Sequence, residues 1–497
     1  MQLSAIAQAC LIGVLALSSQ AANAVDDSAM EQARQHIAEQ AKALEPALLE
    51  TRRDIHAHPE LGNTEQRTSE LVATQLRALG LEVKTGVART GVVAVLKGAL
   101  PGPTVALRAD MDALPVKEVA DLPFASKAKG RYLDKDVDVM HACGHDAHTA
   151  ILLSTAKILS DMRERLPGTV VFYFQPAEEG PSDFVPDGKN TWGAKMMVQE
   201  GVMKSPKPDA VFGLHVWAGI PAGRIAYRPG PTLASSDDLR IRILGKQTHA
   251  GRPWDGIDPI TVGAQTVVGL QTVVSRRTDI SSFPSVVSIG TINGGTRYNI
   301  IPESLDMTGT IRSYDYGIRQ KLHSDVRQTV EKIAESGGAK AEVSIIEKYD
   351  PTINDPALTE KMLPSLRWAA KDDVVQGPLV GGAEDFSFYA KEAPGLFVFL
   401  GVTPRDQDMA KAAPNHNPGF FVDESALLVG VRTLASLTTD YLFAGAKPLG
   451  SKRPWRHREQ ARSCNGSGLR PHRRQHGSRR GARTPGRSRS GAGAGRN

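Results

Sequence analysis

Apolar residues recur at helical spacing through Ile37, Leu44 and Leu48, and again through Val72, Leu76 and Leu79, which predicts a helical stretch over residues 31–80. The pattern then changes to short continuous apolar runs, GVVAVL at Gly91–Leu96, TVALRA at Thr104–Ala109, TVVFYF at Thr169–Phe174 and AVFGL at Ala210–Leu214, with a helix predicted over Ala147–Met162. Unbroken apolar strands alternating with helices predict a mostly parallel sheet covered on both faces. A different rhythm follows: strand Leu239–Leu244, helix Pro259–Ser275, strands Val286–Thr291 and Ser304–Ile311, helix Ile318–Ser336 and strand Ala341–Glu347. That order is β-α-β-β-α-β, the split ferredoxin-like unit. A helix near Pro356–Ala370, a strand at Gly395–Leu400 and a helix at Glu424–Tyr441 return the chain to the first domain. The fold class is therefore α/β, with a small ferredoxin-like domain inserted into a larger, mostly parallel-sheet domain.

Composition refines this division. The 497 residues suffice for two or three domains, and 41% hydrophobic and 23% charged residues match a globular protein. The apolar run from Ala9 to Leu17 is too short to cross a bilayer and precedes Ala22-Asn23-Ala24, a small-residue cleavage pattern. It is read as a secretory signal, although no Lys or Arg precedes it. The expected segments are a signal over 1–24, the larger domain over 25–232 and 346–446, the inserted domain over 233–345, and a tail over 447–497. The expected location is periplasmic or secreted, with no membrane insertion after cleavage.

The net charge of +6 arises in the tail. Residues 451–497 hold thirteen Arg and one Lys against Glu459 alone, so the rest of the chain is net acidic. With Arg, Gly, Ser and Pro and almost no large apolar residue, the tail is expected to be disordered. Trp455 is its only aromatic residue, and no nucleic-acid partner is expected. Of three cysteines, Cys10 falls in the signal and Cys464 in the tail. Cys143 alone occupies the body, so no disulfide is expected there.

The surroundings of Cys143 carry the chemistry. Met140–His148 reads MHACGHDAH, three histidines, a cysteine and an aspartate in nine residues. Cys143 and His145 flank Gly144, so a tight turn can aim both at one ion, and thiolate with imidazole suits zinc and other borderline metals. In QPAEEG, just past a strand, the adjacent Glu178 and Glu179 can divide roles, one binding metal and the other taking a proton from water. His215 in GLHVW and His416 in PNHNP are weaker candidates on their own. Asp110 and Asp112 alternate at the end of TVALRA, so both can point into one cleft and support the ligands from behind.

Together these segments resemble the aminoacylase and carboxypeptidase metallohydrolases of peptidase family 20, in the branch of hippurate hydrolases and auxin-conjugate hydrolases. The resemblance spans about residues 31–445 and rests on DMDALP (110–115), MHACGHDAH (140–148), QPAEEG (175–180), GLH (213–215), GGAEDFS (381–387) and HNPGFF (416–421). It implies two divalent ions, Zn²⁺ or Mn²⁺ with Co²⁺ or Ni²⁺ as alternatives, held by Cys143, His145, Glu179, His215 and His416. It implies Glu178 as general base and acid, and an inserted domain that serves as lid and homodimer interface. In the lid, His249 (GKQTHAGRP), Asn299 (RYNIIP) and Arg312 (GTIRS) match substrate-contacting positions: His249 and Asn299 would hold the oxyanion, Arg312 the substrate carboxylate. The expected reaction is hydrolysis of the amide bond of an N-acyl amino acid or of the C-terminal residue of a small peptide. A dipeptidase or aminopeptidase of the same fold and a non-catalytic metal or ligand binder are the alternatives. One departure is the insertion GPSDFVPDGKNTW beside the metal motif, expected to reshape the acyl pocket.

Overall fold

The computed structural model describes residues 30–445. The signal segment and the basic tail predicted above lie outside the described residues. Among those described, no helix is long and apolar enough to cross a membrane.

Three helices, over 30–43, Glu45–Ala57 and Gln66–Ala78, replace the one helical stretch that periodicity predicts. Pro46 starts the second helix, and the His58–Pro59 region ends it, because proline cannot donate to a continuing helix. The main sheet has eight strands in the order Glu82–Val87, Gly91–Lys97, Pro167–Gln175, Leu100–Asp110, Ala210–Pro221, Gly395–Thr403, Ile225–Tyr227 and Val374–Gln376. Its four central strands, Pro167–Gln175 to Gly395–Thr403, are parallel. Gly91–Lys97 joins them antiparallel and pairs with Glu82–Val87 in an edge hairpin.

Both faces of this sheet are buried, which explains the continuous apolar runs. Along Pro167–Gln175, Val170, Phe172 and Phe174 enter one core with Ile151 and Leu434 from the helices His145–Asp161 and Leu427–Phe443. Val171 and Tyr173 enter a second core with Phe386, Tyr389 and Phe397. Each fully buried side chain of this size contributes about 1.5–3 kcal/mol.

The inserted unit forms its own four-stranded antiparallel sheet, ordered Ser285–Asn293, Ser304–Ser313, Ser236–Leu244 and Lys340–Tyr349. Helices Pro259–Arg277 and Tyr316–Ser336 cover it, closing a core around Leu239, Ile241, Leu270, Leu322 and Val326. Asp258 and Asp315 cap these helices by accepting from exposed backbone N–H groups. The two strands that lead into and out of this inserted unit are tied at its base. Buried Arg319 bonds Asp237 on the entering strand and Asp350 just past the leaving one, and His323 Nε2 stands 2.7 Å from Asp237.

Candidate metal centre

The candidate ligands converge at the carboxyl end of the central parallel strands. Gly144 makes the turn between Cys143 and the helix that starts at His145. Its φ is +92°, and a Cβ there would stand 2.2 Å from Val216 Cγ2, so glycine is required. Glu178 and Glu179 follow strand Pro167–Gln175 in a turn where Ala177 has φ +50°. His215 lies inside strand Ala210–Pro221 rather than at its end. The ladder to the neighbouring strand stops at the Arg108–Gly213 pair, which leaves His215 facing the opening beyond it. His416 comes from the loop after the last central strand, with φ +70°, and its N–H bonds the Ala142 carbonyl at 2.8 Å. Asn415 adds a brace, donating to the carbonyls of Cys143 at 3.2 Å and Val216 at 3.1 Å.

Two donor sets form around one sulfur. Cys143, His145 and His215 offer ligand atoms within 4.8 Å of one another, and so do Cys143, Glu179 and His416. Cys143 Sγ lies 3.3 Å from His215 Nε2 and 3.2 Å from His416 Nε2, and His416 Nε2 is 2.8 Å from Glu179 Oε1. Orientation suits metal binding. His215 Nδ1 donates to the Val216 carbonyl at 2.7 Å, which turns Nε2 towards the sulfur. His145 Nδ1 faces Asp112 Oδ1 at 3.2 Å, and its buried Nε2 has no hydrogen-bond partner. His148 differs: Nδ1 bonds Asp110 at 2.6 Å and Nε2 accepts the Val216 N–H at 2.8 Å, so neither nitrogen is free for an ion.

The electrostatics also call for cations. Burial and the nearby Glu179, Glu178 and Asp110 push the Cys143 thiol well up. Burial opposes charge on His145, but Asp110, Asp112 and Glu179 outweigh it and raise that imidazole to about 10. The hydrogen bond to Glu179 raises His416. Without ions, the surrounding carboxylates favour positive charge on these imidazoles; divalent ions would take over that task. Cys, His and carboxylate donors fit borderline divalent metals.

Asp110 and Asp112 contact the histidines of the turn, Asp110 through His148 and Asp112 through His145. Asp112 accepts the N–H groups of both Glu178 and Glu179 at 2.9 Å and so fixes their turn. Glu178 is 5% exposed. Burial and the neighbouring Glu384, Glu179 and Asp385 push its carboxyl well up, with Arg108 pulling the other way.

Several residues of this network carry no role in the sequence reading. Arg108 is buried, pairs with the carboxylates of Asp110 at 2.7 Å and Glu384 at 2.9 Å, and donates to Asp385 at 3.0 Å. A charged residue within the apolar run TVALRA was its one signal. Glu65, fully buried, accepts the Ala177 N–H at 2.8 Å, and nothing local in the sequence marks it.

The three candidate residues of the inserted domain stand apart. His249 is exposed, and its Nδ1 accepts the Gly251 N–H at 2.9 Å. Asn299 Oδ1 is buried without a hydrogen-bond partner. Arg312 is half-buried and donates from Nε to Thr310 at 3.1 Å. Among the described residues, none of the three bonds a residue of the two donor sets. The insertion packs against the lid: Pro186 O accepts from Arg240 at 3.1 Å, and Trp192 meets Tyr349 with ring centroids 6.4 Å apart.

Residues 106–440 match the family model described as Peptidase family M20/M25/M40. The chain belongs to this family. The M20 chain is 41% identical over 402 residues to thermostable carboxypeptidase 2 of Saccharolobus solfataricus, a match covering 80% of this chain and 96% of that protein. It is 39% identical to IAA-amino acid hydrolase ILR1-like 4 of Arabidopsis thaliana, covering 79% and 85%. Among solved structures it is similar to the Bacillus subtilis YXEP protein, a dinuclear metal binding peptidase from the M20 family. That likeness has a TM-score of 0.66 and 34% identity, and covers 81% of this chain and 99% of the other. This M20 chain is thus a metal-dependent hydrolase of amide bonds.

Proposed function

We propose that the enzyme hydrolyses the amide bond of N-acyl amino acids, or releases the C-terminal residue of small peptides, and requires a free carboxylate next to the scissile bond. The observation that carries this reading is the pair of donor sets sharing Cys143, with Glu178 at their edge. Cys143, His145 and His215 would hold one divalent ion and Cys143, Glu179 and His416 a second. Zn²⁺ or Mn²⁺ suits these donors, as do Co²⁺ and Ni²⁺. When bound, such ions supply the Lewis acidity that makes water nucleophilic near neutral pH.

Glu178 then acts on protons. A buried carboxyl whose pKa is pushed up accepts the proton of the attacking water and returns it to the leaving amine nitrogen. Asp112 holds both backbone N–H groups of the Glu178–Glu179 turn, which keeps the two carboxylates in separate roles. Arg312 would pair with the substrate carboxylate through its planar fork. Since Arg312, His249 and Asn299 make no bond to the donor sets, their roles require lid closure or the approach of a second copy's lid. A homodimer through the lid is supported by its edge strand Ser285–Asn293, where Val286 is 44% and Ile292 54% exposed. We also infer export, from the Ala9–Leu17 run and the cleavage pattern after it.

The test is hydrolysis of N-acetyl and N-benzoyl amino acids, their amides and dipeptides by metal-reconstituted protein, beside Glu178→Gln. Cleavage of free-carboxylate substrates but not their amides, abolished in the variant with metal retained, is the expected result. Activity retained by Glu178→Gln would remove the role given to Glu178. Cleavage confined to dipeptides with a free amine would favour the dipeptidase or aminopeptidase reading.

A further inference from the structure

Four bonds immobilise the turn that carries Glu178. Ala177 N–H donates to Glu65 at 2.8 Å, and the N–H groups of Glu178 and Glu179 donate to Asp112 at 2.9 Å each. The residues that accept these three bonds lie in the larger domain, as the turn does. The fourth partner does not: the Glu178 carbonyl accepts from the Tyr349 hydroxyl at 2.5 Å. Tyr349 is the last residue of the lid strand Lys340–Tyr349, paired with Ser236 where the chain enters the lid.

Tyr349 therefore stands where the chain leaves the inserted unit, and its side chain reaches back to the larger domain. Its ring is 8% exposed and sits in a small apolar cluster with Ala177 and Trp192, flanked by Phe184 and Phe388. Phe184 and Trp192 come from the insertion, and Ala177 precedes Glu178 in the left-handed region at φ +50°. Backbone in that region persists only where its surroundings hold it. Within the inserted unit, Arg312 stands at the same end, since Ile311 pairs with Asp237 and Ser236 with Tyr349. One tyrosine thus lies between the arginine proposed to hold the substrate carboxylate and the glutamate proposed to move the proton.

We propose that Tyr349 is a positioning residue, braced by Trp192 of the insertion, that ties the lid hinge to the Glu178 turn and sets Glu178 for proton transfer when the lid is in place. This rests on the role proposed for Glu178. A rotation of the lid about its hinge carries the Tyr349 hydroxyl with it, and the Glu178 carbonyl follows. A displacement of about 1 Å at a reacting group costs up to about a hundredfold in rate. The insertion thereby has a function apart from the acyl pocket: it packs the hinge tyrosine from behind.

The experiment compares Tyr349→Phe, Trp192→Leu and Glu178→Gln with the wild type as full-length, metal-reconstituted protein. Read-outs are kcat and KM on an N-acyl amino acid, bound metal per chain, and the thermal midpoint. Tyr349→Phe removes one hydroxyl. It is expected to lower kcat about tenfold or more, with KM within about twofold and metal content unchanged. Trp192→Leu keeps the hydroxyl but loosens the ring, and gives the same split with a smaller loss. A merely structural tyrosine lowers the midpoint and leaves kcat of the folded, metal-loaded fraction alone. If Tyr349→Phe does not fold, Trp192→Leu decides. kcat within about twofold of wild type in the folded variants overturns the proposal, while an inactive Glu178→Gln leaves the reading of Glu178 standing. Activity in Glu178→Gln overturns both.

Discussion

Replacing Arg108 by Met should unmake the electrostatic balance of the site while keeping most of the side-chain volume. The guanidinium is fully buried against Asp110, Glu384 and Asp385, and its Nε donates to Gln175 at 2.9 Å. Removing one partner of a buried ion pair costs about 3–5 kcal/mol, because the other charges stay behind without compensation. Typical stabilities are about 5–15 kcal/mol, so this is a large share of the total. The loss should depend on pH. Burial already raises Glu384 and Asp385, and Arg108 pulls both back down. Without it their folded-state pKa values climb further above the unfolded ones. Such groups contribute stability that is fully present below the unfolded pKa and lost as pH rises through the folded one. The deficit should therefore be larger at pH 8 than at pH 5. Urea unfolding of the chelator-treated protein, followed by circular dichroism at both pH values, reads it directly. Arg108→Lys, which keeps one charge but not the fork, should fall between the two. A deficit under about 1 kcal/mol at pH 8, within the range of an ordinary substitution, would refute the reasoning, as would equal deficits at both pH values.

Other consequences are as direct. Cys143→Ala should lower bound metal at both sites, whereas His416→Ala should lose only the ion of its own set; elemental analysis after dialysis distinguishes them, and equal losses would contradict a shared sulfur. Burial and Asp112 raise Glu65 to about 8. In the metal-free protein its contribution is therefore present below the unfolded value and lost up to about pH 8, at about 1.4 kcal/mol per pH unit. Glu65→Gln should flatten that slope, and denaturation midpoints from pH 5 to 8 would expose an unchanged one. Arg319→Met leaves Asp237 with His323 and Asp350 with Lys391 as remaining partners and should cost about 3 kcal/mol, the low end for a broken buried pair, with metal content unchanged; thermal unfolding with elemental analysis checks both halves.

The inserted domain was the most legible part of the sequence. Its six elements alternate clearly between strand and helix periods. The central strands were legible because both sheet faces are buried. The edge strand Glu82–Val87 was not, since five of its six residues escape full burial and carry no alternation. The donor residues were visible as motifs because Cys and His cluster around one turn. The residues that hold that turn were hidden. Tyr349 lies 171 positions from the carbonyl it binds, and Glu65 lies 112 from its N–H partner. Such pairings follow from topology, which no local window contains.

The order of the central sheet has a consequence for synthesis. Gly395–Thr403 emerges late yet sits in the middle, against Ala210–Pro221. Until it is made, the growing chain carries a buried-type strand with an open edge, the surface most prone to pair with another chain. The inserted domain, whose hydrophobic core is built from its own segment of the chain, can fold meanwhile. A chain interrupted between residues 350 and 395 would thus own a finished inserted domain beside an unfinished sheet, and His416 would be missing from the second donor set. Full metal loading reports that translation ran past residue 416 and that the last strand found its place.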